Sequence, residues 1–245
     1  MKTKLLLGLA LVLSGGLFGC SSLGIKTGTM VEDQPPVTLG YACFCFKGDE
    51  DTNAVPTPPA HPCFLSLIWV EGKHTMHDAE PWCGDGEKYS GKFIFRVKLT
   101  NDVTVDTPLE SLCPDGCFDF IFAEEAQPWQ IKMADYNNDG KPDFNIVTYA
   151  GCSLSECHLF TINPSGKVEL CKFVGKFGEV DSFTMNKESD QSTDQLEGNL
   201  TSTGFYYEFY DRYDGPNLKL DVESFDWDAK QKIFHEHDHI IQLRQ

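Results

Sequence analysis

Residues 131–149 read IKMADYNNDGKPDFNIVTY and form the most informative segment of the chain. Its centre places oxygen-bearing side chains at loop positions 1, 3, 5 and 9, which are Asp135, Asn137, Asp139 and Asp143. Calcium prefers six to eight oxygen ligands in proteins, and Gly140 at position 6 permits the sharp turn that closes such a loop. We predict a calcium site here, with the backbone carbonyl of Lys141 as a further ligand.

The segments on both sides of this loop are short and strand-like. IKMA leads into the loop and FNIVTY leads out of it, with the aromatic and β-branched residues that are typical of strands. An EF-hand would need flanking helices and a bidentate glutamate at position 12, which is Ile146 here. The sequence therefore predicts a calcium loop that joins two β-strands.

Most of the remaining chain also has strand character, with turn residues at intervals near ten. We predict further strands at residues 64–71, 89–100, 117–123, 158–163, 167–173, 204–213, 218–225 and 232–239. The residues Pro164-Ser165-Gly166 between two of these segments are typical of a hairpin turn. The pattern predicts an all-β fold: a single antiparallel β domain over residues 38–245, either a sandwich or propeller-like.

The loop resembles the calcium loops of the integrin-alpha-like FG-GAP and VCBS repeat families, which read D-x-[DN]-x-D-G-x-x-D-[LF]. The resemblance covers about forty residues, from Trp129 to Phe173, and is most specific at the loop itself. It implies that the loop joins two strands of a propeller blade and binds calcium structurally. A full propeller would carry several copies, and this chain carries one. A single loop of this kind is also similar to those of small periplasmic and lipoprotein domains that inhibit lysozyme-type muramidases.

The N-terminal segment predicts an envelope location. Lys2 and Lys4 precede a short apolar stretch that ends in Leu17-Phe18-Gly19-Cys20, as in a secretory signal. This ending resembles a bacterial lipobox, which implies a signal peptide over residues 1–19 and a lipid-modified Cys20. Ser21 after the cysteine implies the outer membrane, on its periplasmic or surface side. Residues 20–37 have no hydrophobic periodicity, and we predict a flexible tether there.

Charge and cysteine content support a folded envelope protein. The 37 Asp and Glu residues outnumber the 20 Lys and Arg residues, for a formal net charge of −17, and this excess of negative charge argues against nucleic acid as a partner. Ten cysteines favour an oxidising compartment and several disulfide bonds. The closely spaced pairs Cys113 with Cys117 and Cys152 with Cys157 are plausible bridges. Nine cysteines follow Cys20, so one thiol would stay unpaired.

The segment HEHDH, residues 235–239, matches the zincin motif H-E-x-x-H. On a helix its outer histidines would bind Zn²⁺ and Glu236 would act as the general base of a metalloprotease. On a strand, which the surrounding sequence favours, His235, His237 and His239 would share one face and could bind a metal there. A solvated edge strand with no metal is the simpler interpretation.

The segment FYYEFYDRY, residues 205–213, places six aromatic residues within nine positions. On a strand, one face would be part of the core, and the other would carry Tyr206, Tyr210 and Arg212 as a possible binding surface. Motifs of a nucleophilic serine or of nucleotide binding do not occur in the chain. The sequence therefore favours a calcium-stabilised binding protein for a protein or glycan ligand. A muramidase inhibitor and a zinc metalloprotease are the alternatives.

Overall fold

A computed structural model of the chain describes residues 29–31, 36–46, 62–76, 87–113, 120–122, 129–149, 154–186, 199–211 and 219–242. These residues form strands and turns, with one 3-10 turn at Leu109–Ser111 as their only helical element, and this confirms the all-β fold. None of the helical residues described could cross a membrane. The predicted signal peptide and Cys20 lie outside the described residues.

The first sheet has seven strands built around one long hairpin of β3 and β4. The backbone of this hairpin bends at the cross-strand pair Gly72 and Gly91, where φ is 146° and 124°. A Cβ atom on Gly72 would lie 1.8 Å from the backbone oxygen of Ser90, so only glycine fits this close approach. The strands of this sheet are β1 (Thr29–Val31), β2 (Val37–Phe44), β3 (Cys63–Met76), β4 (Glu87–Lys98), β5 (Thr104–Pro108), β6 (Phe120–Phe122) and β7 (Trp129–Gln130).

The second sheet has five strands and is antiparallel throughout. Its order is β11-β10-β9-β8, with β14 paired to the other end of β10. The hairpin between β10 and β11 turns at Pro164–Gly166, as the sequence predicts. The strands are β8 (Met133–Ala134), β9 (Asp143–Tyr149), β10 (Leu154–Ile162), β11 (Val168–Leu170) and β14 (Phe183–Asn186).

The third sheet has five strands in the order β13-β12-β17-β16-β15. Its pairings are antiparallel except that of β12 with β17, which is parallel. A second parallel pairing joins β2 and β7 in the first sheet, so the domain is not purely antiparallel. The strands are β12 (Lys172–Gly175), β13 (Gly178–Val180), β15 (Gly204–Asp211), β16 (Lys219–Asp228) and β17 (Ile233–Gln242).

The second sheet contributes side chains to two separate apolar cores. On β10, Phe160 packs with Phe95 of the first sheet, with ring centroids 5.0 Å apart. The preceding residue, Leu159, points the other way, into a core rich in phenylalanine from the third sheet. Successive side chains of a strand point to opposite faces, so the apolar run along β10 fits a strand that is buried on both sides.

The local structure differs from the sequence prediction in two segments. Thr29–Val31, which we placed in the flexible tether, forms β1 and pairs with the end of β3. The single strand predicted at residues 167–173 is divided at Cys171, whose backbone N–H donates to the Leu159 carbonyl at 2.8 Å. At this point the chain passes from the second sheet to the third.

No two of the described cysteines lie at disulfide distance, so the structure shows no disulfide bond among them. Cys117 and Cys152, the predicted partners of Cys113 and Cys157, lie outside the described residues, so these two pairings stay predictions. Cys157 and Cys171 are buried thiols in the second core. Burial raises the pKa of both thiols, which makes them poor nucleophiles.

Candidate functional site

The predicted calcium loop connects β8 to β9 in the second sheet, so the prediction of flanking strands is confirmed. Two residues of the loop have positive φ, Asn138 at 53° and Gly140 at 83°. Glycine adopts this conformation freely, and asparagine does so more readily than most residues. These two positions turn the chain back toward the sheet and so close the loop.

Tyr136 anchors the beginning of the loop in the second core. Its side chain is completely buried and meets Phe205 of β15 edge-on, with ring centroids 5.4 Å apart. The Tyr136 hydroxyl accepts a hydrogen bond of 3.1 Å from the Asn145 side-chain amide. A second tie comes from Asn138, whose side-chain amide donates to the Ser202 carbonyl at 3.2 Å. The loop is therefore fixed to the third sheet as well as to its own.

The oxygens of the loop side chains accept hydrogen bonds from the loop backbone. Asp135 accepts the N–H groups of Asp139 and Gly140 at 2.9 and 3.0 Å. The side-chain oxygen of Asn137 also accepts from Asp139, at 3.0 Å. Asp139 in turn accepts the N–H of Lys141 at 2.9 Å and forms an ion pair with the ammonium of the same residue. These contacts direct the oxygens toward the middle of the loop.

Asp143, the first residue of β9, is the most unusual group of the loop because its carboxylate has no exposed surface. One oxygen, Oδ2, accepts the backbone N–H of Tyr136 at 2.9 Å. The other, Oδ1, is buried and accepts no hydrogen bond of regular geometry. Leaving a charged acceptor in this state costs free energy, because burial removes its water without a full replacement.

The electrostatics of Asp143 follow from this burial. Burial raises the pKa of the Asp143 carboxyl from 3.8 to about 7. Hydrogen bonds from the Thr161 hydroxyl and the Asn137 backbone N–H oppose this rise, whereas the negative charges of Asp139 and Asp135 add to it. The carboxyl is therefore protonated over part of the neutral range unless a positive charge stabilises its ionised form.

The donor chemistry of the loop fits a calcium ion. Three carboxylates, the Asn137 side-chain oxygen and the Lys141 carbonyl are all hard oxygen donors. Within the described residues, no three side chains of His, Cys, Asp or Glu are already gathered for one metal ion. The Asp139 and Asp135 carboxylates are turned to loop N–H groups, but each carboxylate has about four lone-pair positions and can accept more than one partner. Among these ligand oxygens, the buried Oδ1 of Asp143 is the one that accepts no hydrogen bond of regular geometry.

The C-terminal histidines lie on β17, which confirms the predicted strand and removes the helix that a zincin site needs. On this strand His235 and Glu236 point to opposite faces of the sheet. The metalloprotease alternative therefore loses its geometric basis. His235 and His237 are half-exposed, and two carboxylates that the sequence analysis did not single out, Asp226 and Asp228, lie beside them. Cross-strand register, which is not a local property of the sequence, brings these acids to the histidines.

The aromatic segment forms β15, and its predicted core face is confirmed where the structure describes it. Phe205 and Tyr207 are buried in the second core. Tyr206 lies on the opposite face, half-buried, and pairs with Ser224 of β16, which in turn pairs with His237. The Tyr210 side chain and Arg212 lie outside the described residues, so their place in a binding surface stays a prediction.

The buried Asp143 carboxyl predicts a pH dependence that calcium should reverse. Its raised pKa means that its protonated form stabilises the fold fully below about pH 4, and that this stabilisation is lost as the pH rises through about 7. With excess EDTA, we expect Asp143→Asn to increase the free energy of unfolding at pH 8 by roughly 1–3 kcal/mol, because it removes a poorly partnered charge. With saturating Ca²⁺ the same variant should be less stable than the wild type.

Urea unfolding at pH 5 and pH 8, with EDTA or with Ca²⁺, measures both effects, and Glu110→Gln, at an exposed carboxylate, serves as the control. A variant that is less stable than the wild type at pH 8 in EDTA would contradict this account of the Asp143 charge.

The ion pair between Lys141 and Asp139 predicts competition with calcium. The Lys141 ammonium must leave the Asp139 carboxylate before a metal ion can bind the same oxygen. An exposed ion pair stabilises a protein by about 0.2–1 kcal/mol, which is the free energy that calcium binding would have to overcome. We expect Lys141→Gln to increase calcium affinity about two- to fivefold, because the backbone carbonyl is kept and only the ammonium is lost. Lys172→Gln, which breaks a similar pair with Glu179 outside the loop, is the matched control. Calorimetric titration with Ca²⁺ decides the point, and an affinity equal to that of the control variant would argue against competition.

The chain was compared with protein-family models, with curated proteins and with solved structures. The resemblance of the calcium loop to the FG-GAP and VCBS families rests on the ten residues of the loop and their two flanking strands. The function has to be argued from the geometry of the loop and of the third sheet. In none of the three comparisons did any protein match the chain.

Proposed function

We propose that this protein is a calcium-stabilised β binding module that is held at the bacterial outer membrane by a lipid on Cys20, and that it has no catalytic activity of its own. The observation that carries the calcium part of this proposal is the buried Asp143 Oδ1, which lacks a regular hydrogen-bond partner. The membrane part rests on the lipobox-like ending of residues 17–20. Several acyl chains would hold the protein firmly, since each buried CH₂ contributes about 0.8 kcal/mol.

Calcium in this position would act as a structural clamp. Tyr136 reaches the second core and Asn138 reaches Ser202, so the loop already touches two sheets. An ion held by Asp135, Asn137, Asp139, Asp143 and the Lys141 carbonyl would fix the loop in this form and supply the positive charge that the Asp143 carboxylate lacks. The first and third sheets pack on opposite faces of the second sheet, which supports a propeller-like rather than a two-layer arrangement. Disulfide bonds among the cysteines would stabilise this arrangement further.

The binding surface that we propose is the outer face of the third sheet, opposite its phenylalanine-rich core. Tyr206, Ser224 and His237 are cross-strand neighbours on this face. Tyrosine combines a large apolar ring with a polar hydroxyl, so it is suited to contact either a protein or a glycan. The net negative charge of the chain disfavours a nucleic acid in this role.

Calcium removal tests the first half of the proposal. We expect EDTA to lower the melting temperature of the purified protein and added Ca²⁺ to restore it, because the ion binds only the folded loop. Asp139→Ala should abolish this response, whereas Asp106→Ala, at a carboxylate paired with Arg96 in the first sheet, should keep it. A melting curve that EDTA leaves unchanged would reject the calcium site.

Site-specific photo-crosslinking in cells tests the second half. A photoreactive residue in place of Tyr206 should give adducts with one envelope protein or glycan, because this position is on the proposed binding face. The same residue in place of Val103, which is 47% exposed in a turn of the first sheet, is the control for non-specific contacts. Equal adducts at both positions, or none at Tyr206, would contradict a binding role for this face.

A further inference from the structure

The face of the third sheet that carries Tyr206 also carries a cluster of imidazoles and carboxylates. His235 of β17 lies directly opposite Asp226 of β16, and His237 lies opposite Ser224, two residues along the same strand. Residues that face each other in an antiparallel pair have Cβ atoms about 4.5–5.5 Å apart and point to the same side. The side chains of His235, His237 and Asp226 therefore share one small area.

The distances show that imidazole and carboxylate already meet there. Nε2 of His237 is 3.4 Å from Oδ2 of Asp226, and Nε2 of His235 is 4.0 Å from Oδ2 of Asp228. The two histidine side chains are 48% and 35% exposed, which leaves the rings room to rotate. They line an open pocket with a volume of about 480 Å³, to which Trp227 and Asp228 also contribute.

Both carboxylates are held in place by hydrogen bonds on the side away from the histidines. The Thr203 hydroxyl donates to Oδ1 of Asp226 at 2.7 Å. The backbone N–H groups of Lys230 and Gln231 donate to Oδ1 of Asp228 at 2.8 and 3.1 Å. Carboxylates that bind metals are themselves commonly oriented by such outer contacts. In each case Oδ2 is the oxygen that lies toward an imidazole, and Oδ2 of Asp228 also accepts a hydrogen bond of 3.0 Å from the Gln231 side-chain amide.

We propose that His235, His237 and Asp226 bind one divalent transition-metal ion such as Zn²⁺, with water completing the coordination. Residues i and i+2 of a strand are about 6.6 Å apart at Cα, and Zn–N bonds measure about 2.0–2.1 Å, so two such imidazoles can meet at one ion. The side chains are not gathered for an ion as they stand. Binding requires the half-exposed His235 ring to turn from Asp228 toward Asp226, its cross-strand neighbour.

This ligand set differs from the three histidines that the sequence suggests. His239 is four residues from His235, which on a strand is roughly 13 Å, and its cross-strand partner is Val222. One ion cannot reach both ends of that span. Asp226 takes the third position instead, because its side chain is already beside His237. Two nitrogens and one carboxylate oxygen suit Zn²⁺, whereas the all-oxygen loop at residues 135–143 suits Ca²⁺.

Calorimetric titration of the purified full chain with Zn²⁺ tests the proposal. Accessible thiols are alkylated first, because cysteine thiolates also bind zinc. We expect His235→Gln, His237→Gln and Asp226→Asn each to weaken zinc binding about tenfold or more, whereas His239→Gln and the distant Glu110→Gln keep the wild-type affinity. Co²⁺ loaded in place of zinc should give the visible absorption of a low-coordinate site in the wild type, His239→Gln and Glu110→Gln, and this absorption should be lost in the three ligand variants.

The proposal is overturned if the alkylated wild type does not bind Zn²⁺ in the micromolar range, or if Asp226→Asn binds it as tightly as the wild type does. It is also overturned if His239→Gln is as damaging as His237→Gln, since that result would mean adventitious binding to a flexible group of histidines. Asp139→Ala should lose the response to calcium and still bind zinc with wild-type affinity. The calcium proposal and the zinc proposal can therefore be rejected independently of each other.

Discussion

A carboxylate without exposed surface lies where the loop of residues 135–143 enters β9, and the arrangement of the second sheet around it depends on how its charge is stabilised. The residue after it, Phe144, enters the core shared with the first sheet, and Tyr136, seven residues earlier, enters the core shared with the third. Asp143 therefore lies between two apolar regions, neither of which can solvate it. Hydrogen bonds from the Tyr136 N–H, the Asn137 N–H and the Thr161 hydroxyl do not fully replace the water that burial removes, since the pKa of the carboxyl is still raised. This imbalance is the physical reason to expect a cation in the loop.

One turn connects the two proposed ion sites. Ser202 accepts a hydrogen bond from Asn138 of the calcium loop, and the next residue, Thr203, donates one to Asp226 on the histidine face. The Thr203 carbonyl also accepts the backbone N–H of Trp227 at 2.7 Å. The segment before β15 is thus held from the second sheet on one side and from β16 on the other. The same turn therefore contacts the calcium loop through Ser202 and the Asp226 carboxylate through Thr203.

The sequence was sufficient for those features that depend on neighbouring residues. Alternation and turn residues located most strands, including β17 across the histidines, and the spacing of Asp135, Asp139 and Asp143 located the loop. It was insufficient where distant segments meet. The parallel pairing of β12 with β17, the crossing between sheets at Cys171 and the placement of Asp226 opposite His235 are long-range pairings that leave no local pattern. The short strand β1 escaped detection for the same reason, since its three residues are stabilised by pairing with β3.

The position of β17 has a consequence for how the chain acquires its shape. This strand comes after every other strand of its sheet in the sequence, yet it lies in the middle, between β12 and β16. Its pairing with β16 is a local hairpin, but its parallel pairing with β12 joins segments far apart in the chain and forms slowly, because a large loop must close first. The third sheet cannot assemble until residues 233–242 have joined it, so until then β12 and β16 expose unpaired edges. The apolar face of the third sheet therefore stays incompletely covered until its central strand is in place, which makes this sheet the part of the fold that is completed late.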